Sequence, residues 1–204
     1  MDNTLAQFGR HILKRHFWCV HPVHNTCCTS KTEENSETSE TKRYDSDTKR
    51  TNGVLSWPDY FMGVAKLSAK RSKDPKTQVG ACIVDRQNHI VGIGYNGFPR
   101  RCSDDVFPWG KKGDYDNTKY AYVCHAEANA ILNSSSDLRG TSLYVTLFPC
   151  NECVKLILQS GITHIVYNDS KSVSTASHRA AVRMLDAACV TYIHHSRMMV
   201  SPTL

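Results

Sequence analysis

Two short segments with metal-binding side chains constrain this chain more than any other feature. The first is H-x-E, formed by His125 and Glu127, and the second is P-C-x-x-C, formed by Pro149, Cys150 and Cys153. One imidazole and two thiolates make the soft nitrogen and sulfur set that suits tetrahedral zinc, and three protein ligands leave its fourth position open. The pattern therefore predicts a zinc site, and a fold that brings both segments together.

The acidic residue of the first segment indicates what such a site does. Glu127 is too close in sequence to His125 to be a comfortable fourth ligand, and it is placed to reach whatever occupies the open position. Zinc with three protein ligands lowers the pKa of its bound water to about 7. A carboxylate beside that water can carry protons to a leaving amine, as in the zinc deaminases that share this paired motif. The alternative is a closed structural zinc site, with Glu127 as a helix N-terminal carboxylate.

The size and composition of the chain favour one domain with a tail. It has 204 residues, of which 40% are hydrophobic, and it contains no apolar run long enough to cross a bilayer. Its nine cysteines are odd in number and irregularly spaced, which favours a reducing intracellular compartment over a disulfide framework. The net charge of +6 does not decide between an anionic small substrate and nucleic acid. We expect a cytoplasmic protein with no membrane partner.

The N-terminal quarter differs in composition from the rest. Residues 26–53 are rich in Thr, Ser, Glu and Lys, and cannot bury enough apolar surface to offset their ordering entropy. We therefore predict a disordered extension over 1–53, a folded domain over 54–195 and a tail over 196–204. Residues 1–25 faintly resemble a mitochondrial presequence, so a mitochondrial location is the alternative. A second metal set is conceivable there, although an unstructured extension is the simpler interpretation: Cys19, His21, His24, Cys27 and Cys28.

Hydrophobic periodicity predicts alternating strands and helices after an initial hairpin. The long loop over 100–122 is interpreted as functional or mobile, with Lys111 and Lys112 on a solvated face. Helices are predicted over 57–72, 125–133, 151–160 and 176–189, and strands over 79–85, 89–95, 143–148, 162–167 and 190–194. This order indicates an α/β protein built around one mixed sheet, with both metal-binding segments at helix starts.

Several segments, at the metal motifs and outside them, resemble one family. The chain resembles the animal deoxycytidylate (dCMP) deaminases, closely over residues 55–168 and loosely to about 195. The resemblance implies a three-layer α/β/α cytidine-deaminase-like fold with a mixed five-stranded sheet. It also implies hydrolysis of dCMP to dUMP for thymidylate synthesis by a homohexamer, activated by dCTP and inhibited by dTTP, with no nucleic-acid partner. The matching segments are Trp57-Pro58, Ser72-Lys73-Asp74-Pro75, Gln78-Val79-Gly80-Ala81, Gly92-Ile93-Gly94-Tyr95-Asn96-Gly97, Cys102-Ser103-Asp104-Asp105, and the segments around His125 and Cys150.

The resemblance also assigns roles to individual residues. His125, Cys150 and Cys153 would hold Zn²⁺, and Glu127 would be the proton shuttle. Substrate binding is expected at a second set of residues: Asn96, Ala126, Arg71, Ser72 and Lys73. Asn96 would hydrogen-bond the deoxyribose hydroxyl, and the last three residues would lie near the 5′-phosphate. The alternative for those last three is an ordinary solvated helix end. The effector site is expected at Gly94, Tyr95, Asn96 and Gly97.

The chain departs from the family pattern in three places. Residues 1–53 have no counterpart, and the C-terminal part is expected to be short and to carry the unusual run Met198-Met199-Val200. A loop that usually carries an aromatic residue over the substrate here reads Lys171-Ser172-Val173-Ser174. Two alternatives therefore stay open. The chain could deaminate free cytidine, deoxycytidine or a nucleic-acid base, although no aromatic and basic groove for a strand is evident. It could also be a zinc-stabilised regulatory subunit without activity.

Overall fold

The computed structural model describes residues 53–170 and 174–196. The predicted alternation of elements is confirmed within these residues, and no helix among them is long and apolar enough to cross a membrane. In chain order the elements are α1 (Trp57–Ala69), β1 (Gly80–Val84), β2 (Ile90–Tyr95), short 3₁₀ helices at Tyr115–Asn117 and Lys119–Ala121, α2 (Ala126–Asn133), β3 (Ser142–Val145), α3 (Asn151–Ser160), β4 (His164–Tyr167), α4 (Ala176–Ala187) and β5 (Thr191–His194).

The five strands form one mixed sheet, as predicted. Their spatial order is β2-β1-β3-β4-β5. β1 pairs antiparallel with β2 and with β3, whereas β3, β4 and β5 run parallel to one another. The parallel half is connected through α3 and α4, because parallel neighbours need a crossover between them.

Helices cover both faces of the sheet, which confirms the three-layer α/β/α prediction. Strand β1 is buried along its whole length, and its alternate side chains enter two different cores. On one face Cys82 and Val84 pack with residues of α1. On the other face Ala81 and Ile83 join apolar side chains of the remaining helices, among them Ala126, Ala130, Val154, Ile157, Ala181 and Leu185.

The first helix is shorter than predicted. It begins after Ser56, whose hydroxyl accepts a bond from the backbone N–H of Asp59, but it ends at Ala69 and not at residue 72. The following segment turns around Asp74, whose carboxylate accepts bonds from the backbone N–H groups of Lys76 and Thr77. Asp74 is buried, so the turn is needed to bring its side chain into the molecule.

Two other element ends were predicted too late. β3 ends at Val145 and not at residue 148, because the chain leaves the sheet and Phe148 N–H donates to Asp169 O over 2.7 Å. α4 ends at Ala187, and Cys189 beyond it has a φ of 54°. The end of α3 is as predicted, since Gly161 adopts a φ of 82° there.

Some predictions lie outside the described residues. They concern the extension over 1–52, the possible second metal set within it, the loop residues 171–173 and the tail over 197–204. The elements that the structure describes run from Trp57 to His194.

Candidate active site

The starts of α2 and α3 bring the two metal-binding segments together. His125 is the N-cap of α2 and Glu127 lies in the first turn of that helix. Cys150 is the N-cap of α3, and Cys153 follows in its first turn. The prediction that these cysteines sit at a helix N-terminus is therefore confirmed, and the positive end of the helix dipole favours their thiolate forms.

The three predicted ligands are spaced as zinc requires. His125 Nδ1 lies 3.3 Å from Cys153 Sγ and 3.4 Å from Cys150 Sγ. A nitrogen at about 2.0 Å and a sulfur at about 2.3 Å from a tetrahedral zinc ion would be about 3.5 Å apart. No other group of three or more His, Cys, Asp or Glu residues within 53–170 and 174–196 has ligand atoms that could hold a metal ion. The residues present fit Zn²⁺.

The two thiols share one proton unequally. The hydrogen bond from Cys153, helped by His125, lowers the pKa of Cys150 to about 4. The same bond, together with burial, raises the pKa of Cys153 far above its ordinary value. Cys150 is thus already a thiolate at neutral pH, and Cys153 releases its proton when a metal binds.

Glu127 is a buried carboxyl group beside this cluster. Its side chain is within the core of the site, with the residue only 4% exposed, and it hydrogen-bonds with the Cys153 thiol. Burial raises the pKa of Glu127 above the ordinary value of a glutamate, so its protonated form is favoured more than in water. A carboxyl group with a raised pKa is suited to accept a proton and to return it.

The cluster opens into a cavity of about 560 Å³, a size typical of small-molecule sites. Its lining includes His125, Ala126, Glu127 and Cys150 from the two metal-binding segments, and the apolar residues Leu147, Phe148 and Pro149. The remaining lining is largely polar: Asp74, Thr77, Val79, Asn96, Lys111, Lys119, Tyr120, Val123, Ser170, Thr175, Ser177 and His178. Ala126, predicted to bind substrate, is therefore part of the cavity wall.

Asn96 also lines the cavity, as expected of a residue that contacts a substrate. It is 6% exposed, and its amide is held by three neighbours. Oδ1 accepts from Val79 N–H over 2.8 Å, and Nδ2 donates to Thr77 O over 3.0 Å and to Asp74 Oδ2 over 3.3 Å. Its contact with a deoxyribose hydroxyl stays a prediction.

The buried ion pair between Lys119 and Asp74 is not predicted by the sequence. The side chains are 8% and 1% exposed, and Lys119 Nζ donates to Asp74 Oδ2. Lys119 lies in a polar loop with no hydrophobic periodicity, so nothing in the sequence separates it from solvated lysines nearby. Lys111 was interpreted as one of those, yet it lines the cavity. His178 was not predicted either, although its ring packs against Phe148 with centroids 4.6 Å apart.

The three residues predicted near a 5′-phosphate do not line the cavity. Ser72 is buried, and its hydroxyl accepts from Asp74 N–H over 3.2 Å. Lys73 is 72% exposed and pairs with Asp104, and Arg71 is exposed. Of the three, Ser72 supports the turn that presents Asp74. Their contact with a phosphate stays a prediction that the shape of the cavity does not support.

The segment predicted to bind effectors lies against α2. A Cβ atom on Gly94 would come within 2.2 Å of the carbonyl oxygen of Ala126, so glycine is required there for close packing. Tyr95 is 38% exposed, and Gly97 pairs with Cys124 in an isolated bridge. The glycine at 94 thus has a structural reason of its own, and effector binding stays a prediction.

Comparisons with known proteins agree with this geometry. A model of the cytidine and deoxycytidylate deaminase zinc-binding region matches residues 55–169. The chain is 62% identical to a probable deoxycytidylate deaminase of Drosophila melanogaster, over 69% of this chain and 73% of that protein. It is 54% identical to the deoxycytidylate deaminase of Homo sapiens, over 71% and 82%.

A solved structure adds the fold. The dCMP deaminase of cyanophage S-TIM5, crystallised with dCMP and dUMP, is 25% identical and superposes with a TM-score of 0.54, covering 67% of this chain and 94% of the phage chain. Together with the zinc ligands at the starts of α2 and α3, these matches show that the chain belongs to the cytidine and deoxycytidylate deaminase family.

Proposed function

We propose that the protein catalyses zinc-dependent hydrolytic deamination of dCMP to dUMP and ammonia. The observation that carries the proposal is the trio of His125, Cys150 and Cys153, whose ligand atoms lie close together, with the buried Glu127 lining the same cavity as His125 and Cys150. Relatives with 54% to 62% identity that are named as deoxycytidylate deaminases or probable ones support it. The phage enzyme crystallised with dCMP and dUMP supports the same substrate.

The residues divide the work of the reaction. His125, Cys150 and Cys153 would hold zinc, which when bound supplies a water molecule activated for attack at neutral pH. Glu127 takes a proton from the attacking water and delivers it to the amine that leaves from C4 of the base. Burial suits this role because it keeps the pKa of Glu127 raised, so the carboxyl group can hold the proton between the two transfers. The apolar side chains of Leu147 and Phe148 limit bulk water at the base.

The direct test is to incubate the purified, zinc-loaded full chain with dCMP and to measure dUMP and ammonia. We expect stoichiometric formation of both. Parallel incubations with deoxycytidine, cytidine and single-stranded DNA separate the alternatives, because a nucleoside deaminase or an editing enzyme would prefer one of those. Nucleotide binding without any turnover by zinc-replete protein would refute the proposal and favour a regulatory subunit.

Regulation by nucleotides is part of the proposal. We propose a homohexamer that dCTP activates and dTTP inhibits, with the segment from Gly94 to Gly97 at the effector site, and a product that enters thymidylate synthesis. The partly exposed ring of Tyr95, on the edge strand β2, supports a ligand or subunit contact there. Sedimentation velocity with each nucleotide, together with rates at low dCMP, checks both points. A monomer whose rate neither nucleotide changes would contradict them.

We also propose a cytoplasmic location. Cys82, Cys102, Cys124, Cys150 and Cys153 form no disulfide, and a thiolate zinc site is best maintained where cysteines stay reduced. Cell fractionation of the full chain, beside a chain that lacks residues 1–53, distinguishes this location from a mitochondrial one. Mitochondrial recovery of the full chain alone would assign the targeting to those residues.

A further inference from the structure

We propose that Lys119 and Asp74 are positioning residues that lock Asn96 as a hydrogen-bond acceptor for the 3′-hydroxyl of the substrate. The inference rests on the proposed deamination of dCMP and deepens it, because it assigns the selectivity for that hydroxyl to a buried ion pair. All three residues line the cavity.

The carboxylate of Asp74 is fully occupied by the protein. Oδ1 accepts from the backbone N–H groups of Lys76 and Thr77 over 2.8 and 3.1 Å. Oδ2 accepts from Asn96 Nδ2 over 3.3 Å and from Lys119 Nζ. A carboxylate offers about four lone-pair positions, so these four bonds leave none for a ligand. Asp74 therefore acts on the substrate only through its neighbours.

The same hydrogen-bond network determines which neighbours the Oδ1 and Nδ2 atoms of the Asn96 amide face. Val79 N–H can only donate and Thr77 O can only accept, so Oδ1 must face the first and Nδ2 the second. Both hydrogens of Nδ2 are then used, one on Thr77 O and one on Asp74. Among the described residues, one lone pair of Asn96 Oδ1 is left without a partner. Asn96 can accept a bond from a ligand in the cavity, but it has no hydrogen left to donate.

Lys119 keeps Asp74 ionised in this place. With the Asp74 side chain 1% exposed, a carboxylate without a cation would be costly and would take up a proton. A protonated Oδ2 would become a donor facing the donor Asn96 Nδ2. The turn from Asp74 to Thr77 would also loosen, because the charge on Asp74 strengthens its two backbone bonds. The orientation of Asn96 is thus coupled to a lysine that need not touch the substrate.

The chemistry of dCMP identifies the group that Asn96 can accept from. The nucleotide carries two neutral donors, the 4-amino group and the 3′-hydroxyl. The amino group leaves in the reaction and must lie at Glu127 and the zinc ligands. The 3′-hydroxyl is therefore the donor that remains for Asn96, and an analogue without it would leave a buried acceptor unpaired.

The experiment compares dCMP with 2′,3′-dideoxycytidine 5′-monophosphate. We expect the zinc-loaded protein to prefer dCMP by about tenfold or more in kcat/KM, the usual effect of one unpaired buried group. Lys119→Met should reduce that preference to about threefold or less. Lys111→Met is the matched control, since it removes another lysine from the cavity wall without touching the network. It should change kcat/KM for both substrates alike and keep their ratio.

A second variant guards against misfolding, because Lys119→Met leaves a buried carboxylate unpaired. The double variant Lys119→Met/Asp74→Asn has no unpaired charge, and its new amide nitrogen opposes Asn96 Nδ2, so the preference should again fall. If turnover is too slow, calorimetric binding of dUMP and its 3′-deoxy analogue gives the same ratio. Zinc content and cooperative melting are measured for each protein.

The outcomes separate the two proposals. A parent protein that does not deaminate dCMP refutes the proposed function, and this inference with it. A parent that deaminates both substrates equally well refutes the inference alone. The positioning role is overturned if the folded, zinc-loaded Lys119→Met and double variants keep the parental preference for dCMP over the dideoxy analogue. Equal loss of activity on both substrates keeps that preference and has the same meaning.

Discussion

At the residue scale, the pKa values of two buried carboxyl groups in one cavity, Glu127 and Asp74, are shifted in opposite directions. Burial raises the pKa of Glu127. Burial also acts to raise the pKa of Asp74, but the hydrogen bonds from Lys119 and from the backbone N–H groups of Lys76 and Thr77 outweigh it, and the pKa is lowered. Carboxyl groups separated in this way take different roles, so Glu127 can carry protons while Asp74 stays a charged anchor.

The role of Glu127 predicts the effect of Glu127→Gln. The amide keeps the shape of the side chain but cannot carry a proton, so we expect activity to fall by about 10²–10⁴-fold or more while zinc content is unchanged. Product assays and metal analysis of the same sample check both points. Glu152→Gln is the control, because it neutralises an exposed glutamate in the P-C-x-x-C segment. Normal turnover by Glu127→Gln would contradict the proton-shuttle role.

The buried ion pair predicts a pH-dependent loss of stability in Asp74→Asn. At neutral pH the substitution leaves Lys119 unpaired, and we expect the free energy of unfolding to fall by about 3–5 kcal/mol. Because the folded pKa of Asp74 is lowered, its contribution is complete above the unfolded value near 3.8 and is lost as pH falls through the folded pKa. Urea unfolding at a series of pH values measures this difference.

The control for that series is Asp104→Asn, which breaks the exposed pair with Lys73. Its effect should be much smaller at neutral pH, because water screens exposed ion pairs. Equal losses from the two substitutions would show that burial of the Asp74 pair has no energetic consequence.

At the element scale, the site depends on how closely α2 approaches the sheet. His125 caps this helix and Glu127 lies in its first turn, and the helix packs on β2 at two glycines. A Cβ atom on Gly92 would lie 2.6 Å from Ala130 O, and one on Gly94 would lie 2.2 Å from Ala126 O. The glycines therefore set the depth at which the first turn of α2 presents its side chains to the start of α3.

This packing predicts that one alanine substitution destabilises the protein and that another does not. Gly94→Ala should reduce stability by about 1–3 kcal/mol or more, because the added methyl meets backbone atoms that cannot turn aside. Activity should fall with it, since α2 moves. Gly97→Ala adds its methyl where no atom lies within 4 Å, and it should melt like the parent. Thermal unfolding of both proteins, with zinc bound, makes the comparison. Equal melting temperatures would contradict the packing argument.

At the scale of the whole molecule, zinc would join two successive helices, which β3 separates in the chain. α2 and α3 pack on the same face of the sheet, and their starts carry all three ligands. Removing the metal with a chelator should abolish activity and lower the melting temperature, because binding energy at such a site is also folding energy. Added Zn²⁺ should restore both. Calorimetry and turnover before and after dialysis measure the effect.

The matched control tests which cysteines hold the metal. Cys153→Ala should lose zinc, whereas Cys82→Ala should keep it. Cys82 lies in the core against α1, and burial raises its pKa to about 12, so it stays a thiol. Loss of zinc from Cys82→Ala alone would contradict the assigned ligand set.

The sequence determined much of this protein by itself. The H-x-E and P-C-x-x-C segments predict the ligand set, because ligand chemistry depends on residue type and close spacing. Hydrophobic periodicity predicts all nine helices and strands longer than a 3₁₀ turn within the described residues. The ends of α1, β3 and α4 were predicted too late, because each is set by a turn or a contact from elsewhere in the chain.

Only the tertiary structure decided what surrounds those ligands. Asp74 and Lys119 are 45 positions apart, and no local pattern indicates that they meet, so their burial follows from packing alone. The position of Lys73 is also decided by the tertiary structure, in which it pairs with Asp104 outside the cavity. Short-range chemistry can be read along the chain, whereas the sign of a pKa shift and the direction of an amide depend on neighbours that only folding brings together.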